Sequence, residues 1–141
     1  MWVIFAFASA LFAGLTAILA KCGIRKTDSD AATAIRTIVV LLFSWLMVWI
    51  VGSGPTVTSL SAKTWIFLIL SGLATGGSWL CYYKALQDGL ASVVVPIDKL
   101  SILVSIGFSA LVFKEHLSKK AALGLGLIVA GTLLMLVKLP A

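Results

Sequence analysis

The chain has 141 residues, of which 61% are hydrophobic and 11% charged, with a formal net charge of +6 and a mean hydropathy of +1.14. Soluble domains carry about 25% charged residues, so this composition excludes an ordinary soluble domain and indicates an integral membrane protein. The positive balance is not a nucleic-acid signal: the basic residues cluster at the ends of apolar segments, where they would meet lipid headgroups, and no extended basic face with interleaved aromatics exists.

The first apolar segment runs from about residue 2 to 20. A signal peptide would open on a basic region, whereas Met1 leads straight into Trp2, Val3, Ile4 and Phe5, and the run is longer than a signal core. It reads as a retained transmembrane helix. The second segment spans about 32–51, the third 64–83, the fourth 91–113 and the fifth 120–137. Each approaches the roughly 20 residues that a spanning helix requires, and the period-2 alternation of barrel strands is absent. The expected fold is an all-α membrane protein, a single five-transmembrane-helix bundle occupying residues 1–141. The short polar connections predict antiparallel sequential neighbours.

Five spans place the termini on opposite sides. One side would hold Lys21, Arg25, Lys26, Lys84 and Lys138, and the other Lys63, Lys114, Lys119 and Lys120. The vote is five against four, or six against four if Arg36 snorkels to the first side. This bias leans toward an outside N-terminus and is too small to fix orientation by the positive-inside rule. Its sharper reading is dual topology, with copies inserted both ways.

Helical spacing assigns polar faces. On the first segment Ser9 and Thr16 align. On the second Thr33, Thr37 and Ser44 align, with Arg36 at the edge of the stripe. On the third Ser71, Thr75, Ser78 and Tyr82 share a face, and on the fourth Asp98, Ser101, Ser105 and Ser109 do so. The fifth offers Thr132 alone. Such stripes either bond helix to helix or line a solvated path, and four of them together with two charges favour the path. Small residues recur every four positions at Ala6, Ala10 and Gly14, at Gly72 and Gly76, and at Ala122, Gly126 and Ala130, predicting close helix packing.

The charges at membrane depth are the candidate site. Asp98 and Lys99 each cost roughly 2.5–3.5 kcal/mol near a helix centre on insertion scales, so a chain keeps them for a substrate, an ion or a proton, or as a buried pair that locks helices together. Adjacent helical residues point about 100° apart, so each is expected to find a partner elsewhere. Pro96 either kinks the helix or marks its start. Arg36 either snorkels or meets Asp98 or a substrate carboxylate. Trp2 and Trp65 suit interfacial belts, while Trp45 and Trp79 lie deeper. Lys84 and Asp88, four apart, read as a surface pair. Cys22 and Cys81 read as packing residues, and His116 stands without a ligand set, so no metal or cofactor is expected. No nucleophile elbow or phosphate-cradling loop is present, which argues against an enzyme.

The carboxyl-terminal half carries an ordered pattern. The run from Gly72 to Leu86 ends in Tyr83, Lys84, Ala85 and Leu86. It is followed by Ala91 to Pro96, then Phe113, Lys114 and Glu115, then glycines 124 and 131 on the last segment. This resembles the EamA domain of the drug/metabolite transporter superfamily, and Arg36 matches an arginine early in that family's second helix. The resemblance covers all five segments and implies a transporter. Most members carry two such units in one chain as inverted repeats, so a single unit is expected to pair with itself, antiparallel, as the small multidrug resistance relatives do. Asp98 and Lys99 are not a general family feature, which implies a particular substrate or coupling ion.

The expectation is therefore a secondary transporter of a small polar metabolite in the cell (inner) membrane. It would work as a homodimer among membrane lipids by alternating access, with Asp98, Lys99, Arg36, Ser101, Ser105, Ser78, Tyr82 and Trp79 forming the substrate and coupling path. A structural or regulatory membrane subunit and a lipid-linked metabolite flippase remain the alternatives.

Overall fold

The computed structural model describes residues 1–137; Lys138, counted in the charge vote, lies outside them. The described residues form helices and no strand: α1 (Trp2–Gly23) running into a 3-10 turn (Ile24–Lys26), α2 (Ser29–Val51), α3 (Gly54–Thr58), α4 (Ala62–Asp88), α5 (Ala91–Asp98), α6 (Ser101–Val112) and α7 (Lys119–Val137). Among them are five stretches long and apolar enough to cross a membrane: Trp2–Lys26, Ser29–Val51, Ala62–Asp88, Ala91–Val112 and Lys119–Val137.

Helix boundaries follow capping chemistry more than hydropathy. α2 begins three residues before the apolar run because Asp28 caps it, its carboxylate accepting from the Ala31 amide at 3.2 Å. The helix ends at Gly52, whose φ of +76° is left-handed. The Gly52 and Ser53 amides turn back to carbonyls of the last turn, the latter to Val48 at 3.0 Å, closing the helix as glycine does best. The expected loop after it holds a one-turn helix, α3, with Pro55 in its first turn. Ser61 caps α4, its hydroxyl accepting from the Thr64 amide at 3.3 Å. Ser118 caps α7 through the Ala121 amide at 3.2 Å.

α4 extends to Asp88, five residues past the apolar run, so the polar turn expected at 84–90 is mostly helix. Its 27 residues span roughly 40 Å. Lys84 and Asp88 pair at 3.7 Å on its exposed face, a contact worth a few tenths of a kcal/mol.

The fourth span is not one continuous helix. It breaks at Lys99 and Leu100, between α5 and α6. Pro96 has no N–H to give the preceding turn, and the chain passes the break on tighter i→i+3 bonds, Leu100 N–H to Ile97 O at 2.9 Å and Leu103 N–H to Leu100 O at 2.9 Å.

The chain divides into two compact units, Met1–Asp88 and Gly89–Ala141. In the first, α4 packs against both α1 and α2. Its buried residues are Ala17, Ile24, Ser29, Thr33, Tyr83 and Leu86, which gather where α1 ends, α2 begins and α4 ends. In the second, α5 packs against α7, where Thr132 is buried.

One packing expectation is corrected, and one alternative is narrowed. Six hydroxyls of the polar stripes do not bond helix to helix. Thr16, Thr33, Thr37, Ser44, Thr75 and Thr132 each donate to the carbonyl four residues back on their own helix, at 2.7–2.9 Å. That local bond satisfies a hydroxyl where lipid offers no partner. Nor do the glycine stripes bring backbones together within each unit. A Cβ built at Gly14, Gly72 or Gly76 in the first, or at Gly124, Gly126 or Gly131 in the second, meets nothing within 4 Å.

Candidate functional site

The packed end of the first unit borders an open cavity of about 420 Å³. The last two turns of α1 supply Thr16, Leu19, Ala20 and Gly23. Ile24 and Thr27 close the corner. The first turns of α2 add Ala32, Ile35 and Arg36, and α4 adds Tyr83. This volume falls in the range of about 300–1,000 Å³ typical of small-molecule sites.

Three bonds between α4 and the end of α1 hold the corner together. Gln87 Nε2 donates to the carbonyl of Thr27 at 2.7 Å and to that of Ile24 at 3.2 Å, and Lys21 Nζ donates to the Leu86 carbonyl. These bonds reach carbonyls at chain-turn and helix ends, the Ile24 carbonyl also accepting from the Thr27 amide at 3.4 Å, and the lysine opposes the negative end of α4. Together they fix α4 against the end of α1, which sets Tyr83 in the cavity wall.

Arg36 is the eighth residue of α2, roughly 10 Å from its start. It does not snorkel outward. Its guanidinium lies 4.1 Å from the Trp79 ring centroid and 5.4 Å from that of Tyr83, so aromatic faces take the place of water around the charge. Trp79, Tyr83 and Leu86 recur at i, i+4 and i+7, one face of α4, and Leu86 is fully buried. The Arg36 Nη1 and the Tyr83 hydroxyl are buried with no hydrogen-bond partner among the described residues. None of the first unit's carboxylates, Asp28, Asp30 and Asp88, forms an ion pair with Arg36.

The predicted residues thus separate. Arg36 and Trp79 meet at the cavity. Tyr82, expected on the lumen face, is half-buried beside its neighbour, with ring centroids 6.0 Å apart; the cavity residue is Tyr83, which the hydroxyl stripe passed over. Ser78 is exposed on α4. Trp45 is exposed. In the second unit Ser101 and Ser105 are exposed on α6.

Asp98 and Lys99 flank the break between α5 and α6. They were expected to face apart, but Lys99 Nζ lies 3.9 Å from Asp98 Oδ2. The helix ends at Asp98, so the 100° step no longer separates the two side chains and the long lysine chain reaches back. At that distance, and with both groups partly exposed, this is a loose charge contact rather than a locked pair.

The family model described as the EamA-like transporter family matches residues 1–137. An uncharacterised transporter encoded in the cobO 3′ region of a Sinorhizobium species is 45% identical over 136 residues, covering 96% of each chain. An uncharacterised protein of Methanocaldococcus jannaschii is 33% identical over 104 residues, 67% of this chain and 75% of that one. No solved structure matches.

Proposed function

The chain belongs to the EamA-like transporter family, and on that premise we propose that it moves a small polar metabolite across the cell (inner) membrane as an antiparallel homodimer working by alternating access. The observation that carries this reading is the odd number of candidate spans, five among the described residues, in a chain that covers 96% of its Sinorhizobium relative. Transporters that alternate access commonly surround a midplane site with two inverted halves, and an odd-span unit supplies both halves only when two copies insert in opposite senses. The near-balanced vote of basic residues supports the same arrangement. With the Arg36 guanidinium held over Trp79 rather than at the headgroups, the count is the narrower five against four. The open glycine faces leave room for a second copy.

In this reading Asp98 takes up and releases the coupling proton. Lys99 and Arg36 balance charge or hold an anionic group. The break at Lys99–Leu100 falls beside Asp98, as in transporter helices that are interrupted at their sites. Reconstituted into vesicles and screened with amino acids and organic acids, the protein should accumulate its substrate under an imposed pH gradient. Asp98→Asn should abolish gradient-driven accumulation with the fold retained. Full accumulation in that variant contradicts the coupling role. Loss of thermal stability in it, with no substrate protecting the parent protein, points instead to a structural subunit.

A further inference from the structure

We propose that the Arg36–Tyr83 cavity is an oxyanion site, built to hold the carboxylate or phosphate of a small ligand with an apolar body. As a substrate subsite it rests on the transport reading above; as a binding site it stands alone.

The carbonyls of Ile24 and Thr27 at the cavity receive Gln87, and the Thr16 hydroxyl donates to Phe12 O at 2.7 Å. Two donors of cavity-lining residues, Nη1 of Arg36 and the hydroxyl of Tyr83, are buried and unpartnered among the described residues. Tyr83 is 2% exposed, so water outside the protein does not serve it. Buried polar groups are rarely left this way without a function.

Charge selects the ligand further. The guanidinium faces are taken by Trp79 and Tyr83, leaving the edge as the binding surface, and an arginine edge matches the spacing of oxyanion acceptors. A cationic ligand would add to an unpaired positive charge. A neutral one would leave that charge uncompensated in a poorly solvated place, where compensation matters most. Leu19, Ile24 and Ile35 line the rest of the cavity and suit an apolar remainder. The oxyanion comes either from a free metabolite or from an anionic lipid headgroup entering from the membrane.

The test uses the full-length protein in phosphatidylcholine nanodiscs, with benzoate as probe and benzylamine as its cationic control, followed by saturation-transfer NMR. Benzoate should bind saturably and benzylamine should not. Arg36→Gln should weaken benzoate by about tenfold or more, the loss of a charge-assisted bond, and Tyr83→Phe by about threefold to tenfold, the loss of a neutral one. Tyr83→Phe keeps the ring and its packing, so it remains informative if Arg36→Gln misfolds. Native mass spectrometry of protein purified from membranes rich in phosphatidylglycerol provides the second arm. Retention of that lipid, lost in both variants, with no benzoate binding, assigns the oxyanion to a headgroup. Benzylamine binding as well as benzoate, or benzoate binding unchanged in both variants, or neither anion held, overturns the site. Binding is read here without transport, so a failed oxyanion site leaves the transport reading intact. Anion binding without any flux would count against transport and leave the site intact.

Discussion

Arg36 shows how one side chain is settled by what surrounds it. At roughly 10 Å into a spanning helix an arginine either reaches the headgroups or finds partners, and here Trp79 and Tyr83 supply two aromatic faces. The sequence made Arg36 and Trp79 candidates but passed over Tyr83. Reading hydroxyls at helical spacing put Tyr82 in line with Ser78, yet those hydroxyl stripes turn to their own helices or to the surface. The face of α4 that matters runs through Trp79, Tyr83 and Leu86, legible as an aromatic pair at i, i+4 followed by a leucine, had packing been weighed ahead of polarity. Gln87 was equally silent, because its role is to receive helix ends that only the fold brings to it. Removing it tests that role: Gln87→Ala takes the side-chain donor from the Ile24 and Thr27 carbonyls, a part-buried and an exposed bond, and should lower stability by about 1 kcal/mol. Denaturant unfolding in mixed micelles reads it; an unchanged midpoint would mean that water replaces both bonds without cost.

At the scale of elements, hydropathy located all five spans but misjudged several of their ends by one to six residues, because caps and not apolarity decide where a helix stops. Asp28 lengthens α2 at its start, and α4 runs on through Lys84 to Asp88 since nothing there breaks it. Pro96 announced a disturbance in the fourth span, but not that it would fall three residues later, at Lys99. Gly52 offers a clean test of terminus chemistry. Its φ is +76° and a Cβ there would touch nothing within 4 Å, so Gly52→Ala carries only the backbone penalty of a left-handed conformation, about 1–2 kcal/mol. Gly52→Asn should recover much of it, since asparagine tolerates that region. Equal stability of all three proteins would show that the end of α2 relaxes into a different turn.

For the molecule as a whole, the composition and the order of motifs were enough to place the chain among EamA-like transporters, and the family match over residues 1–137 bears that out. Beyond the family, sequence pattern gives out because what the proposal turns on is how copies of the chain meet. A single unit buries few of its side chains. Phe5, Phe12, Trp49 and Leu73 stand exposed, as residues facing lipid or a second copy would. The glycine faces that promised close packing are open within each unit. Near-balanced charge at the two ends is what the proposed insertion in both senses would require.

The most direct measurement is therefore the orientation of the carboxyl terminus, read by a compartment-sensitive reporter fused after Ala141 in intact cells. Signal from both sides of the membrane in comparable amounts is the expected result. Signal from one side alone would contradict the antiparallel homodimer and require a parallel assembly, a separate partner or a monomer.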